Sequence, residues 1–523
     1  MFAPLPTPHE MAAWDRAAVD LGMPELLLME HAGRAAAAVL AATYGPVAGK
    51  RVLLFMGAGN NGGDAACLAR LLEDAGAEVL VLHTRPLSAY KGVTRQHLRL
   101  SRSCGVDFFP ATTWPSRFRQ TGWLRPHVVV DGLLGTGFSG QLREQEAALV
   151  SRINAFRSEQ SAFVLALDIP SGLNGLTGRP CPDAVRANVT ATFAAAKPGL
   201  VMSEAATFVG SLQVCDIAMP RRVRETLPPS CSLMLPSILE QLPQPDPHWH
   251  KGRAGHVLVV GGSAGLTGAP HLAALGALRT GAGLVTVAAP EPLTQAVKGT
   301  ADIMSRALGA TWNSDSAPLL AEVLGQVDAL VLGPGIGRSD GAIAAVASIL
   351  ALPDRPPTVI DADALYALAR RPELAGHVRP GDVLTPHPGE AATILGQNGS
   401  RESTAVSVQN DRLEALRALT ECAAGVWVLK AAGTLVGRRG GTLALCPVAV
   451  PNLAVAGSGD VLAGAIGTVL AQGLEAFIAA CCGVYLHARS GELLAERYPR
   501  RGNSASEIAD MLPVAGAATV PRP

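Results

Sequence analysis

Residues 52–64 read Val-Leu-Leu-Phe-Met-Gly-Ala-Gly-Asn-Asn-Gly-Gly-Asp. An unbroken apolar run that breaks into a glycine-rich turn is the pattern of a strand buried on both faces and feeding a helix. The same transition recurs along the chain. In the first half the candidate strands are Val52–Met56, Val79–His83, Val128–Asp131, Phe163–Asp168, Val189–Phe193 and Leu212–Val214. In the second half they are His256–Val260, Leu284–Ala288, Ala329–Leu332, Thr358–Asp361, Val383–Thr385 and Val426–Leu429. Helix-length segments separate them. This alternation predicts the α/β class, with two doubly wound domains, each a mainly parallel sheet between helix layers.

The 523 residues suit two domains. Seven prolines (220, 228, 229, 236, 243, 245, 247) crowd the stretch between Pro220 and Lys251. Prolines at this density disfavour helix, so 221–250 reads as an extended linker with one short helix. It divides a domain at 1–220 from one at 251–515, and the tail after Leu512 reads as frayed. Apolar residues make up 48% and charged residues 16%, which excludes a disordered chain. The 43 basic and 43 acidic side chains cancel, so no basic nucleic-acid surface is expected. The nine cysteines form no CxxC pair, and the N-terminus lacks a signal-peptide pattern. No uncharged apolar run is long enough to cross a bilayer. A cytoplasmic protein without membrane or nucleic-acid partners is expected.

In such sheets, ligands sit beyond the carboxyl ends of the strands. Asp131, Asp168, Asp361 and His387 all follow candidate strands. Each Asp taken singly could just cap the next helix; their recurrence favours a ligand site. Gly57–Gly62 fits GxGxxG, a pyrophosphate cradle ahead of a helix expected to begin near Ala65. The second strand, however, ends His83-Thr84-Arg85, without the acid that would bind a ribose. The oxygens of Asn60, Asn61 and Asp64 suit a hard cation or a sugar hydroxyl. Further glycine-rich loops are Asp131–Gly137, Asp168–Gly172 and Lys197–Gly199.

Together, Asn60–Asp64, Val130–Gly137, Asp168–Gly172 and Lys197–Gly199 resemble the NAD(P)H-hydrate epimerase family, which is Rossmann-like. Met11, Asp15, Ala18, Gly22 and Leu28–Gly33 resemble its N-terminal helices. The resemblance implies interconversion of the R and S forms of hydrated NADH and NADPH. It implies that Asn60, Asn61, Gly62, Gly63, Asp64, Gly135, Thr136, Gly137, Phe138, Ser139, Gly140, Gln141 and Asp168 hold the hydrate. Asn61, Asp131 and Ser171 would hold a potassium ion. Ala65 departs from the usual Gly. Inverting a carbon that bears a hydroxyl needs a proton donor and acceptor, and Asp168 is the candidate. Lys197 is open to three readings: support for Asp168, a phosphate contact, or a surface lysine before a turn.

In the second half, the stretch Ala456-Gly457-Ser458-Gly459-Asp460-Val461-Leu462-Ala463-Gly464 carries the chemistry. A glycine-rich turn entering a helix aims free amides and the helix dipole at one spot. Asp460 there reads as a base for a hydroxyl attacking a phosphoryl group, or as an N-cap; Gly464 on the same face favours the first. With Gly333–Gly337, Asp361–Leu365, His387-Pro388-Gly389-Glu390 and Lys430–Thr434, this half resembles the ribokinase-like ADP- or ATP-dependent NAD(P)H-hydrate dehydratases. The resemblance implies that Ala269, Gly335, Gly337, His387 and Asp460 line the hydrate site. Lys430, Ala431, Ala432, Gly433, Thr434 and Gly459 would hold the nucleotide, ADP, with Mg²⁺ on its phosphates. Departures fall at Ala431 (usually Gly), Tyr366 (usually Asn), Val450 (usually Asn) and Asn452 (usually Gly). An alanine at 431 would resist a positive φ.

The resemblance covers nearly the whole chain and implies a bifunctional repair enzyme acting on NADHX and NADPHX. Related enzymes form homo-oligomers, though no coiled-coil or interface stripe marks one here. Three alternatives stay open: a small-molecule kinase releasing a stable phosphorylated product, an NADP-dependent oxidoreductase, and a non-catalytic N-terminal binding module.

Overall fold

The computed structural model describes residues 1–113, 123, 125–245, 247–397 and 403–517. The chain forms two compact units, one of Pro4–Cys231 and one of Met1–Ala3 with Ser232–Pro523. Both are doubly wound α/β, as the alternating pattern predicts.

The first unit holds a seven-stranded sheet. Its order is Asp107–Pro110, Glu78–His83, Arg51–Met56, Val128–Gly132, Phe163–Leu167, Val189–Phe193, Ser211–Cys215, all parallel. Alternate residues of Arg51–Met56 serve opposite faces. Val52, Leu54 and Met56 join the core with helices Pro8–Asp20, Glu25–Thr43 and Asn60–Asp74. Leu53 and Phe55 join the core under helix Glu144–Gln160. Burial on both faces is why the strand reads as a continuous apolar run. Strand order reverses about Arg51–Met56, so the loops after it and after Val128–Gly132 diverge and open a crevice. Helix Glu25–Thr43 has the length and hydropathy of a membrane span, but Leu28, Met29, Ala32, Ala36 and Leu40 bury one face in this core.

The second unit holds an eleven-stranded sheet. Val426–Leu429, Val383–Leu384, Thr358–Ile360, Ala329–Leu332, His256–Val260, Leu284–Ala289 and Met304–Ala307 lie side by side in parallel. Beyond Val426–Leu429 the sheet continues antiparallel through Leu435–Gly437 and Leu443–Leu445, then Cys231–Met234 and Phe2–Pro4.

Helices Gly268–Thr280 and Ser458–Ala471 cross at glycines. A Cβ on Gly464 would lie 1.9 Å from the Ala273 carbonyl oxygen, and one on Gly276 would lie 2.4 Å from that of Val461. Gly464 is therefore a packing residue, and it lends no weight to the catalytic reading of Asp460. Gly464→Ala should destabilise the second unit by about 3 kcal/mol through overpacking, measured by urea unfolding of that unit.

A buried ion pair ties two loops at the amino edge of this sheet. Arg355 donates to Asp382 at 2.7 and 2.6 Å, and both side chains are sealed from solvent. Arg355→Met should cost about 3–5 kcal/mol, because Asp382 would be left buried without its partner. Chemical denaturation reads this directly.

Three expectations are corrected. The 221–250 stretch is not an extended linker: it holds helix Arg221–Thr226, strand Cys231–Met234 and a 3₁₀ turn at Pro236–Gln241. Val223, Cys231, Met234, Ile238 and Leu239 are buried, and the prolines punctuate these elements instead of abolishing them. The tail after Leu512 is not frayed at once, since helix Ala505–Ala517 runs through Pro513 and buries Ala515. Strands Phe2–Pro4, Asp107–Pro110, Met304–Ala307, Leu435–Gly437 and Leu443–Leu445 were not expected. They are short, and several lie at sheet margins where apolar runs are not required.

Candidate active sites

Helix Asn60–Asp74 begins at Asn60, not near Ala65. The turn ahead of it is too tight for side chains: a Cβ on Gly57 would sit 1.7 Å from the Leu133 carbonyl, and one on Gly62 2.1 Å from that of Gly57. Asn60–Asp64 therefore form the first helical turns. Gly62 and Gly63 face protein, Gly63 against Met29 and Thr94. Asn60, Asn61 and Asp64 face a cavity of about 1160 Å³, also lined by Gly135, Thr136, Gly137, Phe138, Ser139, Gln141 and Asp168. Gly62, Gly63 and Gly140 lie outside that lining. The Ala65 methyl packs onto Gly132, where a Cβ would come within 2.6 Å of it. The departure is thus absorbed by a neighbouring glycine.

Asp168 follows strand Phe163–Leu167 with φ +59°, an uncommon left-handed setting for a non-glycine residue. Its Oδ1 accepts from Lys197 Nζ at 2.5 Å. Lys197 is 1% exposed and also donates to Thr192 Oγ1 at 2.9 Å and to the Phe193 carbonyl at 3.1 Å. Its three donors are spent within the protein. Among its three readings, the geometry is that of support for Asp168.

Two further carboxyls face the same cavity. Burial pushes Asp15 up to about 6, with the Asp168 charge adding and Lys197 opposing. Burial pushes Asp64 well above the usual carboxylate range, and the charges of Asp168 and Asp15 push the same way. An ion-paired carboxylate beside Asp64, whose carboxyl is pushed toward its protonated form, gives the site an acceptor and a donor together. Asp15 was not expected as a site residue from its chemistry. Its signal lies in position: it shares helix Pro8–Asp20 with buried Met11, Trp14 and Ala18, where an acid is out of place.

Asp131 is fully buried. Its oxygens accept from Ser171 Oγ at 2.6 Å, Ser171 N–H at 2.7 Å and Leu133 N–H at 3.2 Å. Burial raises it to about 6, and these bonds restrain the rise. Asn61 Nδ2 donates to the Leu134 carbonyl at 2.7 Å, which leaves buried Oδ1 without a partner among the described residues. The Leu134 carbonyl also accepts from Ser171 Oγ at 3.3 Å, so Asn61, Ser171 and Asp131 belong to one hydrogen-bonded set of oxygens whose chemistry suits a hard cation such as potassium, although Asp131 and Ser171 lie behind the cavity lining.

In the second unit, Lys430 follows strand Val426–Leu429 and donates to Asp361 Oδ1 at 2.7 Å. Thr385 Oγ1 donates to the same oxygen at 2.7 Å. Although burial pulls the other way, the Asp361 and Glu390 charges hold the Lys430 ammonium above its ordinary range. Asp460 lies in the first turn of helix Ser458–Ala471, after Gly457 at φ +85°. Burial pushes Asp460 up to about 7, with Asp361 adding and Lys430 opposing. Glu390 is likewise raised to about 7 by burial, again opposed by Lys430. A carboxyl balanced near neutrality at a helix N-terminus is suited to take a proton from a hydroxyl.

The other expected positions converge on this edge unevenly. A Cβ on Gly335 would lie 3.3 Å from that of Ala269, and the Gly337 N–H donates to Asp363 at 3.1 Å. His387 Nδ1 accepts from the Gly389 and Glu390 amides at 3.0 and 3.2 Å, and its Nε2 lies 3.5 Å from Glu390 Oε1, with the ring half-exposed. A Cβ on Gly459 would lie 3.2 Å from Lys430 Nζ, so Lys430 reaches the helix that carries Asp460. Thr434 Oγ1 donates to the Ala431 carbonyl at 3.0 Å, and Arg412 donates to the carbonyls of Ala432 and Gly433.

Residues 257–514 match the family model described as NAD(P)H-hydrate dehydratase, and residues 25–199 match that of the YjeF-related protein N-terminus. A bifunctional NAD(P)H-hydrate repair enzyme of Moorella thermoacetica is 37% identical, over 97% of this chain and 96% of its own. The chain belongs to the bifunctional NAD(P)H-hydrate repair enzyme family. A member from Coxiella burnetii is 36% identical over 94% of this chain and 95% of its own, and one from Escherichia coli 32% over 97% and 93%.

Within this family the departures from the usual motifs find physical accounts. Ala431 does not adopt a positive φ, whereas Gly433 does, at +75°. Alanine at 431 is thus unstrained. Tyr366 lies under the Arg338 guanidinium at 4.7 Å. Val450 packs toward Gly491, where a Cβ would come within 2.8 Å of it. Asn452 is buried and donates to the Tyr498 carbonyl and to Asn503 Oδ1, both at 3.0 Å, anchoring the approach to the Asp460 turn.

Proposed function

We propose that the chain restores hydrated NADH and NADPH in two steps. The first unit interconverts the R and S hydrates, and the second dehydrates the S form with ADP, giving NAD(P)H, AMP and phosphate. The observation that carries this is a matched pair of acid centres at the carboxyl edges of two sheets. One is Asp168 on Lys197 in a nucleotide-sized cavity; the other is Asp460 beside Lys430 at a glycine-bordered helix start.

In the first site, Asn60, Asn61, Asp64, Gly135–Ser139 and Gln141 hold the hydrate, and Gly62, Gly63 and Gly140 shape the backbone around it. Asp168 accepts a proton at the reacting hydroxyl while Asp64 retains its own. Asn61, Asp131 and Ser171 would hold potassium. When bound, that ion supplies a fixed positive charge for the hydrate's oxygens.

In the second site, Asp460 takes the hydroxyl proton as that oxygen forms a bond to the β-phosphorus of ADP, and AMP leaves. Breaking the carbon–oxygen bond, with loss of a proton from the adjacent ring carbon, then expels phosphate and restores the dihydronicotinamide. Lys430, Gly459 and the 431–434 loop steady the nucleotide, whose phosphates bring Mg²⁺. Ala269, Gly335, Gly337 and His387 bound the hydrate. Nine free cysteines, the majority of them buried, support a reducing, cytoplasmic setting.

Product analysis tests the reaction type. Chromatography after incubation with S-NADPHX, ADP and Mg²⁺ should find NADPH, AMP and phosphate in equal amounts. Accumulation of a stable phosphorylated hydrate would replace this reading with that of a small-molecule kinase.

A further inference from the structure

Arg338 directly follows the Gly333–Gly337 loop at the carboxyl edge of the second unit's sheet. Its Nε–H donates to Asp363 Oδ1 at 2.9 Å, and its guanidinium carbon lies 4.7 Å above the Tyr366 ring. Asp363 Oδ2 accepts the Gly337 N–H at 3.1 Å, so one carboxylate fixes the arginine and the loop together. The arginine side chain is nonetheless 64% exposed. Surface arginines paired through a single contact ordinarily swing freely. This one is held in its plane from two sides, and its terminal nitrogens make no hydrogen bond to the described residues.

A guanidinium fixed through Nε, with both terminal NH₂ groups unbonded to the described residues and the side chain largely exposed, is a preformed fork for phosphate oxygens. Its position selects the ligand. Gly337 is its chain neighbour and Gly335 lies in the same loop, both on the proposed hydrate side of the site.

We infer that Arg338, stacked on Tyr366, grips a phosphate group of the bound dinucleotide hydrate. The inference rests on the dehydratase reading of this site. Tyr366 stands where the resembling family usually has Asn, so the stacked clamp is a feature of this chain. The hydrate offers two phosphate sources, the pyrophosphate bridge of both substrates and the 2′-phosphate of NADPHX alone.

The test is KM for S-NADHX, for S-NADPHX and for ADP in the wild type, R338A, R338K and Y366L, with unfolding midpoints alongside. R338A should raise the hydrate KM roughly tenfold or more, as loss of a charge-assisted pair does. The effect should fall on KM more than on kcat and leave the ADP KM and the midpoint in place. R338K should recover only part, because an ammonium lacks the fork; Y366L should show a smaller rise in KM. A rise confined to NADPHX assigns the 2′-phosphate, and equal rises assign the pyrophosphate. An unchanged hydrate KM, or a rise for ADP alone, overturns the inference.

Calorimetric titration with NADPH separates this inference from the reading beneath it. Absence of turnover in the wild type would overturn the dehydratase reading. Equal NADPH affinity in wild type and R338A would overturn the assignment of Arg338.

Discussion

Asp168→Asn is expected to slow interconversion of the R and S hydrates by about 100- to 10,000-fold, the usual range for loss of a general acid–base. ADP-dependent dehydration of the S form should continue at the wild-type rate. Asn is the informative replacement because it keeps an acceptor for Lys197, whose side chain is 1% exposed. Removing that acceptor altogether, as in Asp168→Ala, would leave the ammonium with only Thr192 Oγ1 and the Phe193 carbonyl and add about 1–3 kcal/mol of destabilisation. Chromatographic resolution of the two epimers, with dehydration of pure S hydrate as the control, reads the result. Unchanged interconversion in Asp168→Asn would remove this residue from the chemistry. Asp15 and Asp64, which share the cavity, would then be the groups to replace.

Asp460→Asn should have a comparable effect on the other half-reaction. Dehydration should fall by about 100- to 10,000-fold while epimer interconversion persists. The helix N-terminus keeps its free amides in this variant, so nucleotide binding should be largely retained. A pH profile adds a second readout. Asp460 is raised to about 7 and acts as a base only when ionised. Below that pH the dehydration kcat/KM should therefore fall about tenfold for each unit of acidity, and above it the profile should level. Asp361, Glu390 and Lys430 share the field at this position, so the apparent midpoint belongs to the cluster. A profile flat from pH 5 to 8 would contradict the assignment of Asp460 as the base.

The central strands of both sheets could be read from the sequence because burial on two faces writes itself as unbroken Val/Leu runs. Val128–Gly132 and His256–Val260 are of this kind. The marginal strands could not. Met304–Ala307 carries Ser and Arg and is mostly exposed, so nothing in its composition marks a ladder. Prolines misled at 221–250, where buried Met234 and Ile238 show that this segment belongs to a core.

At the sites, Asp168, Asp131 and Asp460 could be picked out as candidates because strand-end acids and glycine turns recur together, whereas Lys430 entered only through the resemblance. Their partners were less legible. That Lys197 pairs with Asp168, and Lys430 with Asp361, depends on loops 29 and 69 residues apart meeting at a sheet edge. Spacing along the chain does not encode that. Gly62 and Gly63 show the converse: a motif glycine can serve backbone packing without facing the cavity.

The most direct measurement is recovery of the reduced-nicotinamide absorbance from a mixture of R- and S-NADPHX, with the purified chain, ADP and Mg²⁺. Two working sites predict full recovery from both epimers. Recovery that stops when the S form is consumed, beyond slow spontaneous interconversion, would contradict the epimerase assignment. No recovery with either ADP or ATP would contradict the dehydratase assignment as well.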